Sequence, residues 1–446
     1  MTENWLLERA WLGDPGGAVA EGVLVEVEDG RFASVEEGVR ELPRDAHRLA
    51  GLTVPGLANC HSHAFHRALR GRTQRERGTF WTWREQMYDA AARLDPDLYY
   101  DLARATYREM LATGFTSVGE FHYLHHGPGG RRYDNPNVMG LALVEAARDV
   151  GIRIALLDTC YVTAGIGRPP EGVQARFSDG DANAWASRLE RFEYVEDDEV
   201  VLGTAVHSVR AVPRAQIGVV AAWAEAHEAP LHVHLSEQVA ENEACLAAYG
   251  ATPTEVLDVA GALGPRTTVV HATHLTGRDI AALGGASAYA CFCPTTERDL
   301  GDGTGPSLRL RDAGARLTLG TDSHAVVDAF EEMRAVELDE RLAARSRGHW
   351  TSAELLVAAT ADGHASLGFP DAGRIEVGAR ADLVTLDVAS PRTAGTGATV
   401  ETAVFAAGAA DVVHVVAGGR VVATRGQHRE IGRELEIAVT DLWRRP

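Results

Sequence analysis

The middle of the chain alternates strand-like apolar runs with amphipathic helical segments. Seven such runs are Phe115–Tyr123, Ile152–Tyr161, Val200–Val209, Pro230–Glu237, Thr267–His274, Ser287–Cys293 and Arg316–His324. An eighth lies in TVPGLANCHSH, which begins at Thr53. Near-continuous apolar strands separated by helices are typical of a parallel sheet covered on both faces. About eight such units predict an α/β fold, a closed (β/α)8 barrel of the TIM type. The alternative is an open doubly wound sheet, but no G-x-G-x-x-G motif follows the first strand.

Both ends of the chain contain short strands and glycine turns instead. GVLVEVEDGRFASV reads as a hairpin with Asp29-Gly30 at its turn. We therefore expect a small β-sandwich module built from both termini, residues 1–55 and 375–446, around a metallohydrolase barrel of residues 56–374.

Composition limits the classes of partner. Hydrophobic residues make up 45% of the chain, which suits a globular protein, and the formal charge is -20. Such a charge argues against nucleic acid or an anionic membrane as a partner. No apolar run approaches the ~18 residues of a membrane span. The N-terminus lacks a secretory core and the five cysteines are scattered, so we expect a cytoplasmic protein with free thiols.

Polar side chains occupy the C-terminal ends of the predicted strands. In a barrel these ends converge on one mouth, whereas unrelated surface histidines would have no reason to share one end. The residues concerned are His61, His63, Glu120, His122, His207, His234, His271 and Asp322.

A metal site is the chemistry that this pattern favours. His61 and His63 point the same way on an extended strand, because side chains alternate faces. Together with His234 and Asp322 they offer three imidazoles and a carboxylate to one divalent ion per chain, zinc first and ferrous iron second. For His61 and His63 considered alone, the alternative interpretation is that they are ordinary loop histidines. His232 is interpreted as a core histidine, and Glu237 as either a helix-start carboxylate or a functional one.

The ordered set His61, His63, His234, His271 and Asp322 resembles the metal-dependent amidohydrolase superfamily, as does ADLVTLD near the C-terminal end. Many members of that superfamily bridge two metals with a carbamylated lysine. This chain has no lysine, and all 43 of its basic residues are arginine. The resemblance therefore implies the mononuclear deaminase branch.

Within that branch, HSHAFHRALRG, FWTWREQMY, GEFHYLHH, HSVRAVP and HVHLSEQ resemble the formimidoylglutamate deiminase family, which acts in histidine degradation. The resemblance implies that Glu237, His271 and Asp322 are catalytic. It also implies a set of substrate-binding residues, namely His66, Arg84, Tyr123, His207 and Arg210. His66 departs from the family pattern, which commonly has glutamine there.

The expected reaction is hydrolysis of N-formimino-L-glutamate, a small anionic substrate derived from an amino acid, to N-formyl-L-glutamate and ammonia. Arginine suits its carboxylates because a guanidinium can bind them bidentately. The alternatives are deamination of an aminopurine or adenosine-type ring, a catalytically silent barrel and a two-metal amidase. We also expect a homodimer. The roles of His125, His126 and His324 stay open.

Overall fold

The computed structural model describes residues 3–44, 46–74, 77–194 and 197–445. Its strands are β1 (Glu3–Ala10), β2 (Ala20–Glu28), β3 (Arg31–Glu36), β4 (Ala46–Pro55), β5 (Leu57–Ser62), β6 (Phe115–His122), β7 (Arg153–Cys160), β8 (Val200–Val206), β9 (Leu231–Leu235), β10 (Thr267–His271), β11 (Tyr289–Phe292), β12 (Arg316–Leu319), β13 (Leu383–Leu386), β14 (Val412–Ala417) and β15 (Arg420–Thr424). Its α-helices are α1 (Phe80–Arg93), α2 (Pro96–Ala112), α3 (Val138–Val150), α4 (Ala182–Leu189), α5 (Arg214–Ala226), α6 (Val239–Tyr249), α7 (Pro253–Val259), α8 (Gly277–Gly285), α9 (Pro294–Leu300), α10 (Ser307–Ala313), α11 (Ala329–Ala344), α12 (Ser352–Ala359), α13 (Ala361–Ser366) and α14 (His428–Arg444).

The strands β5 to β12 form one parallel sheet in chain order, with helices between them. Every position of β6 and of β7 is buried, as expected for strands covered on both faces. The ring closes beyond the end of β12, where the backbone N–H groups of Thr321 and Asp322 donate to the carbonyl of His61 at 3.1 and 2.9 Å. The N–H of His63 donates to the carbonyl of Asp322 at 3.2 Å. The predicted (β/α)8 barrel is confirmed.

A second, mixed sheet combines both ends of the chain in the strand order β15-β14-β13-β4-β1-β2-β3. This confirms a β-module built from the two termini. Its β2–β3 hairpin turns at Asp29 and Gly30, with φ of 49° and 78°. Two positive φ angles define the type I′ turn that matches strand twist, and Asp-Gly is a preferred pair for it. The residue boundaries given above for the domains stay a prediction.

A buried ion pair joins the β-module to the barrel. Arg153, the first residue of β7, donates through both terminal nitrogens to Asp382, which precedes β13, and both side chains are 1% exposed. Asp382 also accepts from the N–H of Gly418 at 2.9 Å. A bidentate pair with a further donor satisfies the carboxylate that burial has removed from water.

The last helix, α14, follows the final strand of the mixed sheet but packs against the barrel helix α2. Its residues Ile431, Leu435, Ala438 and Leu442 are buried, at the spacing of one helical face. On α2, Arg108 pairs with Glu434. The part of the chain that the structure describes contains no helix long and apolar enough to cross a membrane.

Candidate metal centre and active site

Four predicted ligands converge at the mouth of the barrel. His61 and His63 come from the end of β5 and the turn after it, His234 from β9, and Asp322 from the segment after β12. The Nε2 atoms of His61 and His234 are 3.1 Å apart, and Oδ1 of Asp322 lies 3.3 Å from Nε2 of both His61 and His63. All four ligand atoms lie within 4.8 Å of one another, so a single ion could contact all of them.

Backbone carbonyls orient two of these imidazoles. Nδ1 of His63 lies 2.9 Å from the carbonyl of Phe121, and Nδ1 of His234 lies 2.9 Å from that of His207. A carbonyl only accepts, so each Nδ1 carries the proton and each Nε2 presents its lone pair to the common point. Nε2 of His61 also lies at this point, 3.3 Å from Oδ1 of Asp322, and three imidazole nitrogens with one carboxylate fit a zinc or ferrous ion.

The protonation states also suit a metal. Burial lowers the pKa of His61 to about 3 and lowers the pKa of His63, so both rings are neutral near pH 7. Burial would raise the pKa of Asp322, but hydrogen bonding to His61 and the neighbouring imidazoles bring it well below its usual range. Neutral imidazoles and an ionised carboxylate are the forms that bind a cation.

Residues behind the ligands stabilise the barrel seam, the place where the segment after β12 meets the end of β5. Ser62 faces away from the ligands, as strand alternation predicts, and donates to Glu120 at 2.7 Å. Glu120 also accepts from the N–H of Ala64 at 2.7 Å. His324, whose role the sequence left open, lies 3.1 Å from Ser62 Oγ and 3.0 Å from Thr321 Oγ1. His324 therefore supports the backbone beside Asp322 and is outside the ligand set.

The predicted acid–base residues lie next to this centre. Nε2 of His271 is 3.9 Å from Oε1 of Glu237 and 3.9 Å from Oδ2 of Asp322. Burial opposes a charge on His271, yet the carboxylates of Glu237, Glu297 and Asp322 raise its pKa well above the usual range. Burial likewise raises the pKa of Glu237, and His271 opposes that shift. The pair can hold and pass a proton at the metal position.

The backbone at two of these residues is strained. His271 and Asp322 have φ of 69° and 42°, a region that residues with a Cβ rarely adopt. Each such residue costs about 1–3 kcal/mol and persists only where its surroundings hold it. The N–H of Asp322 is held by the carbonyl of His61, and the N–H of Ala272 by that of Leu235 at 3.0 Å.

Sequence reasoning missed Glu297, near the start of α9. Its Oε1 lies 3.3 Å from Nδ1 of His271 and accepts from the N–H of Cys293 at 2.9 Å. Glu297 is 5% exposed. A carboxylate at Nδ1 orients a functional imidazole and leaves Nε2 facing the reacting groups.

All five residues predicted to bind substrate line one cavity above the metal position, and this cavity also contains Glu237 and His271. Nε2 of His66 lies 3.0 Å from the hydroxyl of Tyr123, and the His207 and His234 rings are 5.1 Å apart. Within the described chain, no carboxylate lies within 4.0 Å of the Arg84 or Arg210 guanidinium. Two arginines on the wall of this cavity, neither within 4.0 Å of a described carboxylate, can bind an anion bidentately.

In a second histidine cluster of the barrel, an arginine pairs with the carboxylate that a cation would need. His122, His125 and Asp158 lie close enough to share an ion. However, the Arg188 guanidinium donates to both oxygens of Asp158, at 2.7 and 2.9 Å, and also pairs with Asp179. Because this fixed positive charge neutralises the carboxylates, the cluster serves the packing of α4 and not a cation. His122 is therefore outside the catalytic centre.

Two further histidines have structural contacts. His126 lies beside this cluster, with Nε2 at 3.1 Å from Oδ1 of Asp179. His232 is fully buried and its Nε2 lies 3.3 Å from the carbonyl of Ser366, as expected for a core histidine.

A closed (β/α)8 barrel with three imidazoles and an aspartate at its strand ends defines a metal-dependent hydrolase. The chain belongs to the amidohydrolase family, whose model matches residues 52–422. It is 37% identical to the formimidoylglutamate deiminase of Pseudomonas aeruginosa over 442 residues, covering 96% of this chain and 94% of the relative. The chain is a hydrolase that acts on C–N bonds.

Two solved structures show the same fold. An amidohydrolase from Brucella melitensis aligns with a TM-score of 0.87 at 32% identity, over 99% of this chain and 100% of that one. An adenosine deaminase from Xanthomonas campestris with bound zinc aligns with a TM-score of 0.85 at 23% identity, over 98% of each chain. The amidohydrolase resemblance read from the sequence is thereby confirmed.

Proposed function

We propose that the protein hydrolyses N-formimino-L-glutamate to N-formyl-L-glutamate and ammonia. The observation that carries this proposal is the pair of arginines, Arg84 and Arg210, which line the cavity with no described carboxylate within 4.0 Å of either guanidinium. The substrate has two carboxylates for these cations and an amidine-like head for the acid–base residues. The likeness to the deiminase of Pseudomonas aeruginosa supports the same reaction.

We assign the ligands of a single ion, with zinc as first choice, to His61, His63, His234 and Asp322. A divalent ion there would supply Lewis acidity, which lowers the pKa of water towards ~7 and makes a nucleophile available near neutrality.

The remaining chemistry belongs to the chain's own groups. Water attacks the formimino carbon, and Asp322 takes the proton that the water loses. His271 orients the nucleophile and stabilises the tetrahedral centre, since its imidazole lies within 4 Å of Asp322 and Glu237. Glu237 donates a proton to the departing nitrogen, so ammonia leaves instead of an amide anion.

The substrate-binding roles follow from the cavity. Arg84 and Arg210 bind the carboxylates, while Tyr123 and His207 contact the substrate from the wall near the ligands. His66 is included because its Nε2 shares a hydrogen bond with the Tyr123 hydroxyl. We propose that the enzyme acts in the cytoplasm as a homodimer on this small substrate, without nucleic acid or membrane.

The test is ammonia release by purified, metal-analysed protein. We expect turnover of N-formimino-L-glutamate and little or none of adenosine or guanine derivatives, because an aminopurine has no carboxylates for the two arginines. Preferential turnover of the purines would favour the alternative deaminase. Absence of bound metal from active preparations would overturn the metal-dependent mechanism.

A further inference from the structure

A polar cluster on the cavity wall contains residues to which the proposed reaction assigns no role. It consists of Tyr88 on α1, Tyr161 just after β7, and Gln174 in the short helical turn Gly172–Arg176. Both tyrosines line the cavity, and Gln174 is 6% exposed behind them. The amide nitrogen of Gln174 donates to both phenol oxygens, at 2.9 Å each.

The orientation of the Gln174 amide follows from its other end. Its Oε1 accepts from the backbone N–H of Glu171 at 3.1 Å. A backbone N–H can only donate, so the oxygen must face Glu171 and the nitrogen must face the tyrosines. Gln174 therefore acts as the donor in both bonds to the phenols.

This donation determines what each phenol can do. A phenol oxygen has two lone pairs and one proton. The oxygen of Tyr88 accepts from Gln174 and also from Nε of Arg84, at 2.6 Å, so only its proton is left for a further bond. Among the residues that the structure describes, no acceptor is assigned to either phenol proton, and both tyrosines line the cavity. Burial raises the pKa of Tyr161 to about 12, so this proton is retained at neutral pH.

We propose that Tyr88 and Tyr161 donate hydrogen bonds to one carboxylate of the substrate beside Arg84, and that Gln174 is the positioning residue that aims both protons. This inference rests on the proposed function and deepens it. Arg84 supplies charge, since Tyr88 holds its Nε while its terminal nitrogens stay available. Two phenol donors at fixed positions add the geometry that selects a planar carboxylate over other anions.

The closing experiment combines tyrosine variants with truncated substrates. Tyr88→Phe and Tyr161→Phe each remove one hydroxyl and keep the ring. For each, kcat and KM are measured with N-formimino-L-glutamate and with two analogues, one lacking the carboxylate next to the nitrogen and one lacking the side-chain carboxylate. We expect KM for the full substrate to rise about 10-fold or more, as loss of a bond to a charged group implies, with kcat little changed.

With one of the two analogues the tyrosine variants should show almost no rise in KM, because the missing hydroxyl then has no carboxylate to bind. A penalty of the same size with both analogues, or no penalty with the full substrate, would overturn the proposal. Gln174→Leu, which removes both donors, should reproduce the rise in KM, whereas a fall in kcat alone would contradict its positioning role. Tyr100→Phe is the matched control, because that half-exposed tyrosine bonds Asp149 on the outside of the barrel.

A binding measurement separates this proposal from the proposed function. Glutarate, a dicarboxylate without an amidine, is titrated calorimetrically into the metal-loaded wild type and variants. An affinity loss of about 10-fold in Tyr88→Phe supports the carboxylate site even if the wild type turns over no formimino compound. Equal glutarate affinity in wild type and variants would overturn the site even if the deiminase activity is present.

Discussion

Glu237 is the residue with the most direct test of the chemistry. Its carboxylate lies 3.9 Å from His271 and is not one of the four ligands. We expect Glu237→Gln to retain near-normal metal content and to lose turnover by ~100-fold or more, because an amide cannot deliver the proton that ammonia needs. Metal analysis and steady-state rates are the measurements. Unchanged turnover would remove Glu237 from the mechanism. The control is Glu243→Gln, at an exposed position on α6, the helix that follows Glu237 in the chain.

Glu297 gives a second test at this scale. Glu297→Gln keeps an acceptor near Nδ1 of His271 but removes the charge, so we expect kcat to fall by about 10-fold with metal content retained, as for other partners of functional imidazoles. We also expect the wild type to show a low-field imidazole N–H resonance that shifts or disappears in the variant. The control is Asp299→Asn on the exposed side of α9. Wild-type kcat in the Glu297 variant would show that the contact is only structural.

At the scale of elements, the join between barrel and β-module depends on Arg153 and Asp382. Arg153→Ala leaves Asp382 buried without its partner, and breaking such a pair costs about 3–5 kcal/mol. Urea unfolding measures this loss of free energy. Arg425→Ala removes a partly exposed pair with Asp387 and should cost about 1 kcal/mol or less. Equal effects of the two substitutions would contradict the role assigned to the buried pair.

The elements also show what the sequence could predict. The apolar runs of the sequence predict all eight barrel strands, because a strand buried on both faces has a continuous apolar pattern. Their ends were less well predicted: the run Arg316–His324 contains a strand only over Arg316–Leu319. Asp322 leaves extended geometry, with φ of 42°, to reach the ligand position, and alternation rules contain no such turn.

The residues missed by sequence reasoning lie in connections. Gln174 and Glu297 reach the site only through the course of a loop and a short helix, which depends on packing between elements far apart in the chain. Strand-end residues are predictable because barrel topology brings every strand end to one mouth. No comparable rule places an amide behind two tyrosines, or distinguishes Asp158 with its arginine from a metal-binding carboxylate.

At the scale of the whole molecule, buried neutral histidines make the free energy of unfolding depend on pH. Burial lowers the pKa of His125, His232 and His364 to about 4 each. The unfolded chain, with histidine near ~6.5, binds these protons first as the pH falls. The contribution of these neutral histidines to the free energy of unfolding is therefore complete above pH ~6.5 and is lost as the pH falls towards about 4. Over this range the free energy of unfolding falls by up to about 1.4 kcal/mol per pH unit for each histidine.

Urea titrations of the metal-loaded protein between pH 7.5 and 4.5 test this expectation. His232→Leu should reduce the pH slope of the unfolding free energy by the contribution of one histidine. His47→Leu, at an exposed position, is the control substitution. A slope that is identical in the His232 variant would show that this ring does not contribute.

The barrel seam has a consequence for how the living cell must make this protein. The polypeptide's earliest and latest barrel segments meet there, and they bring His61 and Asp322 together. A nascent chain that ends before residue 322 contains only three of the four proposed ligands. A cation bound by the four proposed ligands would therefore be held tightly only after the ring is complete, and its retention would mark a finished barrel.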